Sequence, residues 1–223
     1  MNEFKTDKNN TSPNAAIIAQ FAKHIGHFPH TSQHSNKFGI NIMLKLSNPQ
    51  KDDTVLDVAC GDGIVAFEFS SLVKQVTGID LTPDMIKRAE IIQKEKDLDN
   101  IEWKIGDVSI LPFQDSEFSM VVTRYSLHHM INPHKVLSEM YRVCKPGGRI
   151  MVVDITPEKD KKESYNMVEK LRDPSHTEAL TPEELKEMMY DLGIVNIQVE
   201  HFYLELDLER RLQSTHSKSV NME

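Results

Sequence analysis

Residues 55–66 read VLDVACGDGIVA, and no other stretch limits the possible folds as strongly. A short apolar run, TVLDVA, is bounded by KDD before it and CGDG after it, which reads as a buried strand opening into a glycine turn. IVAFEFSSLV then has the length and composition of a helix. Gly61, Gly63 and Ala66 satisfy the G-x-G-x-x-G/A spacing, and Asp80 follows 19 residues after Gly61 at the end of the next apolar run, KQVTGID. Glycines there let the backbone approach a ligand closely, and a strand-end carboxylate accepts hydrogen bonds from both hydroxyls of a ribose.

From Thr54 the chain alternates between the two kinds of pattern. Thr82 and Pro83 open a helix in which Met85, Ile86, Ala89 and Ile92 share one face. IEWKI and FSMVV read as the third and fourth strands. NPHKVLSEMYRVC reads as a helix stopped by Lys145-Pro146-Gly147-Gly148, a tight turn delivering the chain into a fifth strand, RIMVVD. Thr181-Pro182-Glu183-Glu184 is a capping box that opens a helix closed by Gly193, and IVNIQV and FYLELDL are two further strand-like runs. The expected fold class is α/β: a Rossmann-like, doubly wound, seven-stranded and mostly parallel sheet, with an antiparallel hairpin at its C-terminal end. Before it, Ser12-Pro13 opens a helix reaching Gly26, and a second helix is expected from Ser35 to Leu46. The predicted organisation is therefore a tail and cap helices over 1–51, a ligand-binding domain over 52–210 with a lid insertion at 155–180, and a polar tail over 211–223.

Composition excludes several classes. With 39% hydrophobic and 27% charged residues the chain is an ordinary globular one, and no apolar run approaches the roughly 18 residues that a membrane-spanning helix needs. A net charge of −8 with no basic stripe disfavours nucleic acid as a partner. MNEFKTDKNNTS lacks the apolar segment of a secretion signal, and Cys60 and Cys144 lie in different turns, so free thiols and a cytoplasmic location are expected. The composition leaves the oligomeric state open. Residues 1–51 carry six lysines against Glu3 and Asp7, an excess that favours an anionic or electron-rich ligand if the segment covers a site, and is otherwise a solvated surface.

Electrostatics separates the cofactors that the glycine turn fits. A nicotinamide dinucleotide would place its diphosphate against Asp57 and Asp62. A ligand carrying an ammonium, a sulfonium and a ribose would be welcomed by the same carboxylates, and S-adenosylmethionine is such a ligand. LDVACGDG, GIDLTPDMI, GDVSILPFQDSEFSMVV and EMYRVCKPGGRIMVVD, in that order, resemble the motif set of class I S-adenosylmethionine-dependent methyltransferases. Within that class they resemble the small-molecule branch that includes the ubiquinone and menaquinone biosynthesis C-methyltransferases. The resemblance covers residues 52 to 154. It implies an enzyme that uses S-adenosylmethionine to methylate a small-molecule acceptor, such as a quinone-like or other aromatic compound.

The resemblance also implies site residues. Ala59, Cys60, Gly61 and Gly63 would line the methionine and ribose side, with Asp57 near the amino group. Asp80 would bind the ribose diol, and Leu81 or Met85 would cover the adenine. Gly106, Asp107 and Val108 would meet the adenine edge, unless Asp107 only caps its own loop. Ala59 stands where many members have glycine.

TRYSLHHM, residues 123–130, follows the fourth strand and should border the transferable methyl group. Thr123, Arg124 and Tyr125 are expected against the methionyl part, and Tyr125, His128, His129 and His176 are the catalytic candidates. Adjacent residues on a turn diverge, so one histidine should enter the pocket, with His128 preferred over His129 and a structural role as the alternative. In RDPSH, Arg172 would pair with an acidic or phenolate acceptor and His176 would reach the pocket from the lid, or Asp173-Pro174 would only form a turn capping the preceding helix. His24, His27, His30 and His34 cluster in sequence, but Pro29 breaks their helical face and no acidic residue accompanies them, so no metal site is expected; either Phe28, His30 or His34 contacts the acceptor or the segment is plain surface. Two other functions fit less well: an NAD-dependent oxidoreductase, and a catalytically silent S-adenosylmethionine-binding partner protein.

Overall fold

A computed structural model describes Ile18, Gln20 and residues 37–202. The helix expected from Ser12 to Gly26, the four N-terminal histidines with Phe28, the FYLELDL run beyond Phe202 and the tail from 211 therefore lie outside the described residues, except for Ile18 and Gln20, which are helical. Five strands make one parallel sheet: β1 (Thr54–Val58), β2 (Gln75–Asp80), β3 (Ile101–Ile105), β4 (Phe118–Arg124) and β5 (Cys144–Val153), in the order β3-β2-β1-β4-β5. Six helices accompany them among the described residues: α1 (Lys37–Ser47), α2 (Ile64–Ser70), α3 (Pro83–Glu95), α4 (Pro133–Val143), α5 (Lys162–Arg172) and α6 (Pro182–Asp191).

Side-chain alternation explains the two-sided core. Leu56, Val58, Ile79 and Val121 face one side, where α4 contributes Val136, Leu137, Met140 and Val143. Val55, Val76, Met120 and Val122 face the other, against Met43 of α1 and Val65, Ala66 and Phe69 of α2. Both faces are apolar, so β1 and β4 read as almost continuous hydrophobic runs. In α4 the buried positions recur at the spacing of one helical face, and the helix starts where the Asn132 side chain accepts a hydrogen bond from the Lys135 N–H. At α6 the capping box is present in full, with Thr181 and Glu184 each satisfying the other's backbone N–H.

Two expectations are corrected. Residues 145–148 do not form a turn ahead of the fifth strand but lie within it. Phe118 pairs with Cys144 and Met120 with Arg149, so β5 bulges out over Lys145-Pro146-Gly147-Gly148 while β4 advances two residues. Gly147, at φ 75°, absorbs the bend. IVNIQV forms no strand: Ile194 and Ile197 pack against the core while Val195 is 69% exposed, and among the described residues no neighbouring segment offers it a ladder. The seven-stranded sheet and its antiparallel hairpin thus reduce to five parallel strands within the described residues.

Register places the site. Val58 pairs with Ile79 and Thr123, Asp80 with Ile105, and Arg124 with Val153, so the strands end together along one edge. The chain order reverses between β1 and β4, which opens a crevice at that edge, the usual ligand position in a doubly wound sheet.

Gly63 serves packing at this point. Its φ is 90°, and an added Cβ would lie 2.5 Å from Cη2 of Trp103, whose ring also covers Gly78. Gly63→Ala is therefore expected to destabilise the chain by about 3 kcal/mol, overpacking and left-handed strain acting together, and chemical denaturation checks it.

Candidate functional site

A cavity of about 740 Å³ opens in the crevice, within the size range of small-molecule sites. Asp57, at the end of β1, is buried, and its Oδ2 accepts a hydrogen bond from the Ala66 N–H in the first turn of α2 at 3.1 Å. Burial pushes its carboxyl up to about 8, the nearby Asp80 adding to the shift. Asp80 is held from both sides: Gly61 N–H donates to its Oδ2 at 2.8 Å and Thr82 N–H to its Oδ1 at 2.9 Å. Burial raises this carboxyl as well, against those two bonds. The same carboxylates lie beside Cys60, and burial together with their charge keeps that group a thiol.

The backbone is strained where it meets the cavity. Ala59, Gly61 and Tyr125 all take φ between 52° and 56°. An added Cβ on Gly61 would meet nothing within 4 Å, so this glycine supplies an open cradle. Ala59 pays for its side chain in left-handed strain, which a glycine at this position would not carry. Ala59→Gly should leave thermal stability unchanged or raise it, by up to about 1 kcal/mol, because relief of strain is offset by unfolded-chain entropy. A thermal melt checks this.

Most of the expected cofactor residues come together on the wall: Asp57, Ala59, Cys60, Gly61, Asp80, Leu81, Met85, Asp107, Val108, Arg124 and Tyr125. Asp107 lines the cavity and also caps its loop, its Oδ1 accepting from the Ser109 N–H at 2.8 Å. Three do not reach the wall. Gly63 faces Trp103 and Phe67, Gly106 lies against Ile79, and Thr123 donates its hydroxyl to the Val58 carbonyl at 2.7 Å.

Among the catalytic candidates, Tyr125 and His129 line the cavity while His128 and His176 do not. The turn Leu127–His129 is a single 3₁₀ turn, in which consecutive side chains point about 120° apart. His128 turns back to Asp154 at the end of β5, with Nδ1 at 2.5 Å from Oδ1. Burial lowers the His128 imidazole, but the Asp154 charge and hydrogen bond override it and hold the ring above its ordinary range. Burial pushes His129 down to about 4, with the His128 charge beside it in the same direction, so His129 is a neutral imidazole at neutral pH. His176 bonds Asn166 Oδ1 through Nε2 at 2.7 Å, and burial lowers it too. Arg172 pairs with Glu169.

Segment 155–180 approaches the site from behind. Thr177 clasps the turn, its N–H and hydroxyl both donating to the His128 carbonyl at 2.8 Å, and no residue of the segment lines the cavity. Among the described residues there is no cluster of three or more residues suited to hold a metal ion. No helix among them is long and apolar enough to cross a membrane.

Several wall residues escaped the sequence reading. Arg88 sits three residues after Met85 and four before Ile92, and all three share the cavity face of α3. That spacing was the available signal. Arg88 Nε lies 3.3 Å from Asp62 Oδ2, so the acidity of the glycine turn is partly offset at Asp62. Ser126 and Met130, from the stretch expected to border the site, also reach the wall, as do Asn132 and Lys135 at the start of α4.

A family model described as a methyltransferase domain matches residues 49–194. The chain is 34% identical over 139 residues to an uncharacterized methyltransferase, YcgJ, of Bacillus subtilis, covering 61% of this chain and 55% of that protein. It is 39% identical over 114 residues to the demethylmenaquinone methyltransferase of Listeria welshimeri, covering 50% of this chain and 48% of the relative. The matches span about half the length of these curated relatives. The crystal structure of YcgJ superposes with a TM-score of 0.78 at 27% identity, covering 82% of this chain and 80% of that one.

Proposed function

The chain belongs to the methyltransferase-domain family, and on that premise we propose that it transfers the methyl group of S-adenosylmethionine to a small-molecule acceptor. The observation that carries this is the pair Asp57 and Asp80, two buried carboxylates at the switch point of the sheet with glycine backbone between them. Burial raises Asp57 to about 8 despite the nearby charge of Arg124, and the ammonium of a bound cofactor would restore its charge. Asp80 has its inner lone pairs tied by Gly61 and Thr82, so its remaining lone pairs suit a ribose diol. Asp107 with Val108 suits the adenine edge, and Leu81 and Met85 suit its face. A diphosphate on the glycine turn would meet Asp57 and Asp62, which weighs against a nicotinamide cofactor.

Bound there, S-adenosylmethionine supplies a methyl group on an electrophilic sulfonium. The chain's own residues bind it, orient the acceptor, exclude water, and hold a proton-accepting imidazole at His129. Burial of the turn around Tyr125 and His129 keeps water from competing with the acceptor. An aromatic, quinone-like acceptor is supported by the apolar wall of Ile40, Tyr125, Met130 and Ile131 and by the substrate named in the Listeria relative. Isothermal titration of the full chain with S-adenosylmethionine and S-adenosylhomocysteine should show binding of both. Mass spectrometry should show a gain of one methyl on a member of a panel of demethylated quinols, phenols and amines. Absence of binding by the unmutated chain overturns the proposal.

A further inference from the structure

The charges on the cavity wall are segregated. Its acidic residues, Asp57, Asp62, Glu68, Asp80 and Asp107, all belong to β1, β2, β3 and the connections that follow them, with Arg88 and Lys96 of α3 in the same half. This is the half that suits the proposed cofactor. The other half is built by the start of α1, the end of β4 with the turn after it, and the start of α4. Its charged wall residues are Lys37, Arg124 and Lys135, and among the described residues it has no carboxylate. His129 is neutral there and burial keeps the proton on Tyr125, so neither offsets the cations. Behind the wall, His128 and Asp154 cancel each other as an ion pair.

Composition does not supply this gathering by default, since the whole chain carries a net charge of −8. Lys37 belongs to the lysine-rich segment 1–51, whose bearing on a ligand depended on whether it covers a site, and at Lys37 it does. Arg124 is buried with its guanidinium carbon 4.2 Å from the centre of the Tyr125 ring, which fixes a charge at the wall. Its field reaches Asp57, where it works against the burial that raises that carboxyl. Lys135 stands in the first turn of α4, and the N-terminal end of a helix adds partial positive charge of its own. Lys37 and Lys135 are exposed, but a charge need not touch a ligand to act on it. Like charges along one side of a cleft focus a field into it, over a Debye length of about 8 Å.

The cofactor's one carboxylate accounts for one of these cations, not for three from three elements. We propose that the acceptor is itself an anion, an aromatic or other apolar frame bearing a carboxylate, drawn to the β4 half of the cavity by Lys37, Arg124 and Lys135. The proposal deepens the methyltransferase reading and rests on it. Ile40, Met130 and Ile131 offer apolar surface to the frame, and the cations favour the carboxylate. The cavity thereby discriminates against neutral molecules of the same shape, which gain nothing from the field.

The test compares matched probes. Full-length chain saturated with S-adenosylhomocysteine is titrated calorimetrically at neutral pH with protocatechuate and with a hydroxynaphthoate, and then with the carboxamide of each. Saturation supplies the cofactor's own carboxylate, so any remaining preference belongs to the acceptor half. Each carboxylate should bind about tenfold or more tighter than its carboxamide, and the preference should shrink by about threefold or more when salt is raised tenfold. Lys37→Gln and Lys135→Gln change exposed side chains, and a thermal melt confirms that both variants fold. Each should weaken carboxylate binding by about threefold and leave carboxamide binding within about twofold, and the double variant should lose about tenfold. Carboxamides that bind as tightly as the carboxylates, or no binding of either carboxylate, overturn the proposal. So does a preference that survives unchanged in the double variant. Loss of S-adenosylhomocysteine affinity beyond about threefold in the lysine variants assigns the cations to the cofactor's carboxylate and overturns it as well. If the unmutated chain binds no S-adenosylhomocysteine, the methyltransferase reading fails instead, and the same probes titrated into the chain alone read the preference of the cavity.

Discussion

Replacing Asp80 by alanine is expected to weaken binding of S-adenosylmethionine by about 100-fold or more, the largest single-residue effect the site allows. Two hydrogen bonds from ribose hydroxyls to a charged acceptor are worth together about 3 kcal/mol at the low end, which is a factor of about 100. The substitution also removes the acceptor for the N–H groups of Gly61 and Thr82, so the glycine turn loses its anchor to β2. Asp80→Asn separates the two contributions. It keeps an oxygen for Thr82 while turning an NH₂ toward the Gly61 N–H, and should lie between the alanine variant and the unmutated chain. Isothermal titration gives the affinities and a thermal melt confirms folding. An alanine variant that binds as tightly as the unmutated chain would remove Asp80 from the site.

The second large effect is on pH. Asp57, at about 8 in the folded chain, is mostly protonated at neutral pH, whereas the ammonium of the proposed cofactor requires the carboxylate. Affinity for S-adenosylmethionine should therefore rise with pH, by about 50-fold between pH 6 and pH 8 if only the ionised form binds, and level off above. Binding near neutrality should release about one proton from this group, measurable by titrating in buffers of different ionisation enthalpy. Asp57→Asn should flatten the profile, and a steep profile in that variant would assign the titration to another group. Linkage gives the unliganded chain the opposite slope. A carboxyl raised in the folded state contributes stability that is full below the unfolded value of 3.8 and is lost as pH rises through about 8. Chemical denaturation of the unliganded chain across that window should show the decline, and cofactor should reverse it.

Much of the fold was legible locally because its signals are local. Apolar runs marked all five strands, Thr82-Pro83 and Thr181-Pro182 marked helix starts, and the glycine turn marked the ligand edge. Where the reading failed, a longer-range fact decided. Residues 145–148 look like a turn to any local rule, yet the ladder to β4 runs through Cys144 and resumes at Arg149, and pairing made the segment a bulge. IVNIQV has strand composition but no described partner, and a strand exists only as part of a ladder. The two glycines of the turn are identical in sequence terms, but Trp103 closes over Gly63 and leaves Gly61 open to the cavity.

By itself the sequence determined the alternation of strands and helices, the acidic glycine cradle and the strand-end aspartates, because a buried run, a turn residue and a carboxylate at fixed spacing leave few ways to fold. Tertiary structure alone decided the histidines. Both belong to one 3₁₀ turn, and nothing in LHHM says which ring faces inward. Asp154, 26 residues on, draws His128 away, while Ser175, 46 residues on, fixes the ring of His129 at the cavity wall. Orientation of a side chain on a turn is set by the partners that other elements bring to it, and those partners are adjacent only after the sheet has closed.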